Sequence, residues 1–192
     1  MVADQNGALP RTDETGSSLY ALVIYLPDPL CGFLDKLRIE MVPGCNPHAH
    51  VSVLPPRPLP VDPETAVQEA LVTVAAFAPF EIELGDIQKF DATDVIFISL
   101  KRGADELREL HSKLNRGALS FSEPFVYHPH VTLAQEIPPD RVQPLRSLAE
   151  HRWREFQGPR HFRAVHTVFV KNARGNQWVD LAEGPLRAAP VA

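Results

Sequence analysis

Two tetrapeptides in this chain hold residue types that can do chemistry together: His50-Val51-Ser52-Val53 and His130-Val131-Thr132-Leu133. In each, a histidine is followed two places on by a hydroxyl residue, with apolar residues between and after. Successive side chains of a strand alternate faces, so His50 and Ser52 project together while Val51 and Val53 enter the core. His130, Thr132, Val131 and Leu133 repeat the arrangement. An imidazole pKa of ~6.5 keeps both protonation forms available near neutral pH. Two imidazoles facing a phosphate can therefore divide the work, one accepting a proton from water and the other donating one to the departing oxygen. No metal or other cofactor is required. The hydroxyls can donate to the non-bridging oxygens, where charge builds as phosphorus becomes five-coordinate.

The same residues admit rival readings. His48 and His128 each lie two places before a motif histidine, and a His-x-His pair on one strand face is also a metal-ligand pattern. A zinc site of four histidines leaves Ser52 and Thr132 without a role and lacks a carboxylate or cysteine at matching positions. Two inward histidines of a plain core would each have to satisfy their ring nitrogens. His111, His151, His161 and His166 lack such context and read as surface or helix residues. Arg57 follows the first motif and Lys101 follows a hairpin, so both are candidate substrate contacts, against the ordinary alternative of a solvated charge. Tyr25, Phe125, Tyr127 and Trp178 offer faces on which a base could stack, although strand aromatics more often serve the core. Tyr127 is the candidate substrate contact among them.

These residues need elements to hold them. Residues 19–26 (LYALVIYL) form a β-branched and aromatic run ended by Pro27 and Pro29, which predicts a buried strand. A helix fits 30–41. The first motif, 50–54, alternates as a strand and is expected to stop at Pro55-Pro56. Asp62-Pro63 opens a helix with an N-cap and a first-turn proline, ending near Pro79. Residues 80–90 and 95–100, joined by the turn-prone Asp91-Ala92-Thr93-Asp94, predict a hairpin. Then come a helix at 104–114, the second motif strand at 130–133, a helix at 138–153, and a closing hairpin of 162–171 with 178–181. The second half echoes the first, so the order predicts two pseudo-symmetric lobes.

The composition sets bounds. The chain has 192 residues, 44% of them hydrophobic, which suffices for one domain or two closely packed lobes. Residues 18–187 are expected to be that single unit, with flexible tails at 1–17 and 188–192. Nineteen Lys and Arg against 24 Asp and Glu give a formal net charge of −5. A long phosphate backbone would be repelled, so a nucleic-acid ligand should be short or gripped at one end. No apolar run reaches membrane-spanning length, and the first 18 residues do not read as a signal peptide. Cys31 and Cys45 form neither a disulfide framework nor a zinc pattern, as expected in a reducing compartment. The expectation is a cytoplasmic monomer away from membranes.

The two His-apolar-[Thr/Ser]-apolar copies, 80 positions apart, resemble the motifs of the 2H phosphoesterase superfamily, and within it the 2'-5' RNA ligase / cyclic phosphodiesterase family. The likeness extends over nearly the whole expected fold. It implies a bilobal α+β fold in which two pseudo-symmetric antiparallel sheets with flanking helices surround a central cleft. It also implies metal-independent attack on a 2',3'-cyclic or 2'-5' phosphodiester of a nucleotide or RNA end. His50, Ser52, His130 and Thr132 would be the active quartet, with His130 the base toward water and His50 the acid. Ser52 stands where Thr is more usual, which keeps the hydroxyl. Gln135 stands where members resembling RNA cyclic phosphodiesterases carry arginine, which weakens an RNA-specific assignment. A non-catalytic phosphate- or nucleotide-binding protein with the same fold, and a His-ligated metalloenzyme, are the alternatives.

Overall fold

A computed structural model describes residues 18–173 and 177–187, so the expected tails at 1–17 and 188–192 lie outside the described residues. The chain forms β1 (Tyr20–Tyr25), α1 (Leu30–Met41), β2 (His50–Arg57), α2 (Pro63–Ala75), β3 (Phe80–Lys89), β4 (Ile96–Arg102), α3 (Ala104–Leu114), β5 (Val131–Ala134), α4 (Pro139–Glu155), β6 (His161–Ala164), β7 (His166–Ala173) and β8 (Gln177–Pro185). The strands make two four-stranded antiparallel sheets, ordered β2-β1-β7-β8 and β5-β4-β3-β6. The fold is α+β, as expected. Both histidine strands, β2 and β5, are edge strands, and they pack against each other where the sheets meet.

The helices follow from local chemistry. Asp62 caps α2 by accepting from the Thr65 amide at 2.9 Å, and Pro63 fills the first turn, where its missing N–H would have no partner. In α1, Leu30, Leu34, Leu37 and Met41 recur at helical spacing and are all buried. The helices are exchanged between sheets. α1 leaves β1 of the first sheet and packs on β5 of the second, while α3 leaves β4 of the second and packs on β2 of the first. α2 and α4 then close over β8 and β3.

Two strand expectations are corrected. β2 does not stop at Pro55-Pro56 but continues to Arg57. Tyr20 pairs with Arg57 and Leu22 with Leu54, so Pro55 and Pro56 of β2 oppose Ala21 of β1, and the prolines occupy the resulting bulge of an edge strand. The expected single strand at 162–171 is two strands. Residues 161–164 pair with β3 in the second sheet, and after Val165 the chain enters the first sheet as β7 between β1 and β8. Among the described residues no helix is long and apolar enough to cross a membrane.

Candidate active site

Strand alternation builds the site as its residue types dictate. Val51 and Val53 are fully buried, as are Val131 and Leu133 to within a per cent, while His50, Ser52, His130 and Thr132 take the opposite, partly exposed side. All four of these polar residues line one cleft of about 1090 Å³ between the sheets. Its floor is apolar: Ala21, Val23 and Val170 of the first sheet face it with Trp178. An apolar pocket with a few convergent polar groups is the usual form of a small-molecule site.

The two imidazoles are held alike. His50 Nδ1 lies 2.6 Å from the His48 carbonyl, and His130 Nδ1 lies 2.6 Å from the His128 carbonyl. A carbonyl only accepts, so each Nδ1 carries the proton and each neutral ring keeps its lone pair on Nε2. At His130 that nitrogen sits 3.1 Å from Thr132 Oγ1, which donates to it in the neutral form. Burial holds the His50 imidazolium down to about 4, with the nearby charges of Arg38, His48 and His130 adding to the effect. Burial also lowers His130. Both rings are therefore neutral at pH 7, and a bound anion would favour their protonation. Asp35 of α1 fixes the entry to β2, its Oδ1 accepting from the Ala49 amide at 2.8 Å.

Tyr127 also lines the cleft. Its hydroxyl donates to the Ser52 carbonyl at 2.8 Å, and its ring stacks on His111 at 4.0 Å. Burial keeps the phenol protonated. Arg57 and Lys101 are not brought to the cleft. Arg57 is 1% exposed, pairs with Glu123 and donates to Asn115 Oδ1 at 2.8 Å, the Leu119 carbonyl and the Pro55 carbonyl. It ties the end of β2 to the 115–123 loop, because a buried guanidinium must find acceptors wherever the fold supplies them. Lys101 is exposed near the end of β4 and does not line the cleft.

His48 and His128 line the cleft beside the motif histidines. His48 stacks on Tyr25 at 3.6 Å, and His128 meets the edge of Phe90 at 5.3 Å. Among the described residues no group of three or more His, Cys, Asp or Glu is placed to hold a metal. Sequence reasoning missed His111, which bonds Glu123 at 2.8 Å as well as stacking on Tyr127. It also missed Arg38, which lines the cleft from the last turn of α1. The available signal was a cation flanking the apolar stripe of a helix.

The profile of the 2'-5' RNA ligase superfamily matches residues 26–176, which include both motifs. The chain belongs to that superfamily. Among solved structures, Escherichia coli LigT in apo form matches with a TM-score of 0.60 and 19% identity, covering 89% of this chain and 98% of LigT. LigT complexed with 3'-AMP gives 0.60 and 18%, covering 89% and 99%. TT0787 of Thermus thermophilus gives 0.58 and 19%, covering 88% and 98%. These neighbours share the fold of this superfamily member. A comparison with curated proteins finds no match.

Proposed function

We propose that this superfamily member is a metal-independent phosphoesterase that opens a 2',3'-cyclic phosphodiester, or cleaves a 2'-5' phosphodiester, at a nucleotide or RNA end. His130 acts as general base toward water and His50 as general acid toward the departing oxygen. Ser52 and Thr132 donate to the phosphate. One observation carries this reading: two edge strands deliver two imidazoles to one cleft, each with Nδ1 committed to the carbonyl two residues back, so that Nε2 is the nitrogen that can exchange protons, at His130 once Thr132 turns its hydroxyl to the phosphate. That the related LigT has been solved with phosphate and with 3'-AMP supports a nucleotide-sized ligand. A cytoplasmic monomer is part of the same reading, since both motifs line one cleft of a single chain and the two cysteines are unpaired.

The test is turnover in EDTA of 2',3'-cyclic nucleotides, 2'-5' linked dinucleotides and ADP-ribose 1'',2''-cyclic phosphate. Activity should survive the chelator; loss restored by zinc would replace this reading with a metalloenzyme. His50→Ala and His130→Ala should each lose about 10²- to 10⁴-fold in rate. An activated leaving group needs little protonation, so it should rescue His50→Ala much more than His130→Ala. Rescue of His130→Ala alone reverses the roles. Near-wild-type rates in both variants leave a phosphate-binding scaffold instead of an enzyme.

A further inference from the structure

Resting on the phosphoesterase reading, we propose that Arg38 holds the substrate phosphate and restricts the cleft to ligands bearing a single phosphodiester charge. Arg38 follows Leu34 by four residues and precedes Met41 by three, both buried, so its stem lies beside the apolar stripe of α1 while the residue lines the cleft. Its Nε is shut off from solvent and has no hydrogen-bond partner. It also takes part in none of the ion pairs among the described residues, whereas Arg57, Arg108, Arg146 and Arg152 each pair with a carboxylate. Asp35, whose charge acts on Arg38, is committed elsewhere: Oδ1 accepts from the Ala49 amide and Oδ2 from Cys31 Sγ at 3.6 Å.

A guanidinium nitrogen shut off from water without an acceptor costs stability, and a ligand oxygen that reached it would remove that cost. The planar fork of arginine matches the oxygens of a phosphate. A phosphate beside Arg38 would also offset the charge that now helps depress His50, returning that ring toward the protonated form an acid needs.

The restriction to one charge follows from what else is there. Among the described residues lining the cleft, Arg38 is the sole Lys or Arg. The acids on the same walls are Glu123, held by Arg57 and His111, and Asp180, which accepts from the Tyr25 hydroxyl at 2.7 Å. A second or third phosphate would meet these carboxylates with no further Lys or Arg among the described residues lining the cleft.

Three measurements on the full chain decide the matter: inorganic phosphate affinity by calorimetry, thermal melting, and kinetics on cytidine 2',3'-cyclic phosphate and ADP-ribose 1'',2''-cyclic phosphate. A charge-assisted hydrogen bond contributes about ten- to hundredfold in an equilibrium constant. Arg38→Met should therefore weaken phosphate binding and raise KM for the mononucleotide by about that factor, while melting at or above the wild-type temperature. Arg38→Lys should fall between. Wild-type phosphate affinity in Arg38→Met, or no phosphate binding by the wild type, overturns the assignment, as does a lower KM for the ADP-ribose compound. If no substrate turns over yet phosphate affinity depends on Arg38, the anion site stands and the phosphoesterase reading falls. If a cyclic phosphate turns over and Arg38→Met is unaffected, the reverse holds.

Discussion

A histidine held neutral by its surroundings has consequences for both activity and stability. With His50 near 4 and His130 also lowered, the free protein reaches the one-neutral, one-protonated state only on the acid side of the ordinary imidazole value. The profile of kcat/KM, which reports the free protein, should be a bell displaced to acid pH. Bound phosphate raises both groups, so the kcat bell should lie at higher pH; its limbs describe the pair as a unit. Coincident bells would contradict the electrostatics of the cleft. For folding, the unfolded chain takes up the His50 proton first as pH falls below about 6.5, since the folded value is lower. Stability is lost from there down to about 4, and His50→Gln should flatten that part of a denaturation-against-pH curve. Arg57 makes the contrasting case. Arg57→Met leaves Glu123 with one of its two partners and should cost about 3 kcal/mol in a urea titration, with turnover of the remaining folded protein little changed. The motif residues were legible because strand alternation is a local rule. Arg57 was not, because its partner Glu123 lies 66 residues away, and sequence cannot separate a charge seeking substrate from one seeking a carboxylate.

At the scale of elements, the helices were the most readable part. α1 and α3 fall where the apolar spacing places them, since a helix satisfies its own backbone and depends little on what it packs against. Strands depend on partners. The prolines of β2 read as a stop because a bulge is defined by the register of β1, and the break at Val165 has no turn residue to mark it because strand-forming residues on both sides suit either sheet. The junction of β4 and α3 is more sharply specified. Gly103 has φ of 89°, and a Cβ there would come 2.7 Å from the Glu81 carbonyl. Gly103→Ala should therefore destabilise by more than about 1 kcal/mol, read as a lower urea midpoint at unchanged slope. An unchanged midpoint would mean that the loop can reshape around a side chain.

At the scale of the whole molecule, the second sheet is drawn from one continuous stretch, 80–164, inserted between the parts of the first. The excess of acid over base covers the chain as a whole, yet the cleft offers an anion four imidazoles, the hydroxyls of Ser52 and Thr132, and Arg38. A molecule so charged selects short anions that can reach the cleft over long ones that must also cross the surface. The helix exchange bears on how such a cleft is kept in shape. Between two identical subunits, trading an element in this way would be a domain swap. Here the trade is closed inside one polypeptide, so neither lobe should fold by itself. The excised stretch 80–164 would present β5 without the helix that covers it and α3 without the strand it covers. It should show no cooperative melting transition alone. For the same reason the cleft walls should resist swinging apart about a simple hinge: opening them would pull α1 off β5 and α3 off β2 together, so the packing of two helices on their neighbours' strands should hold the gap between the histidines.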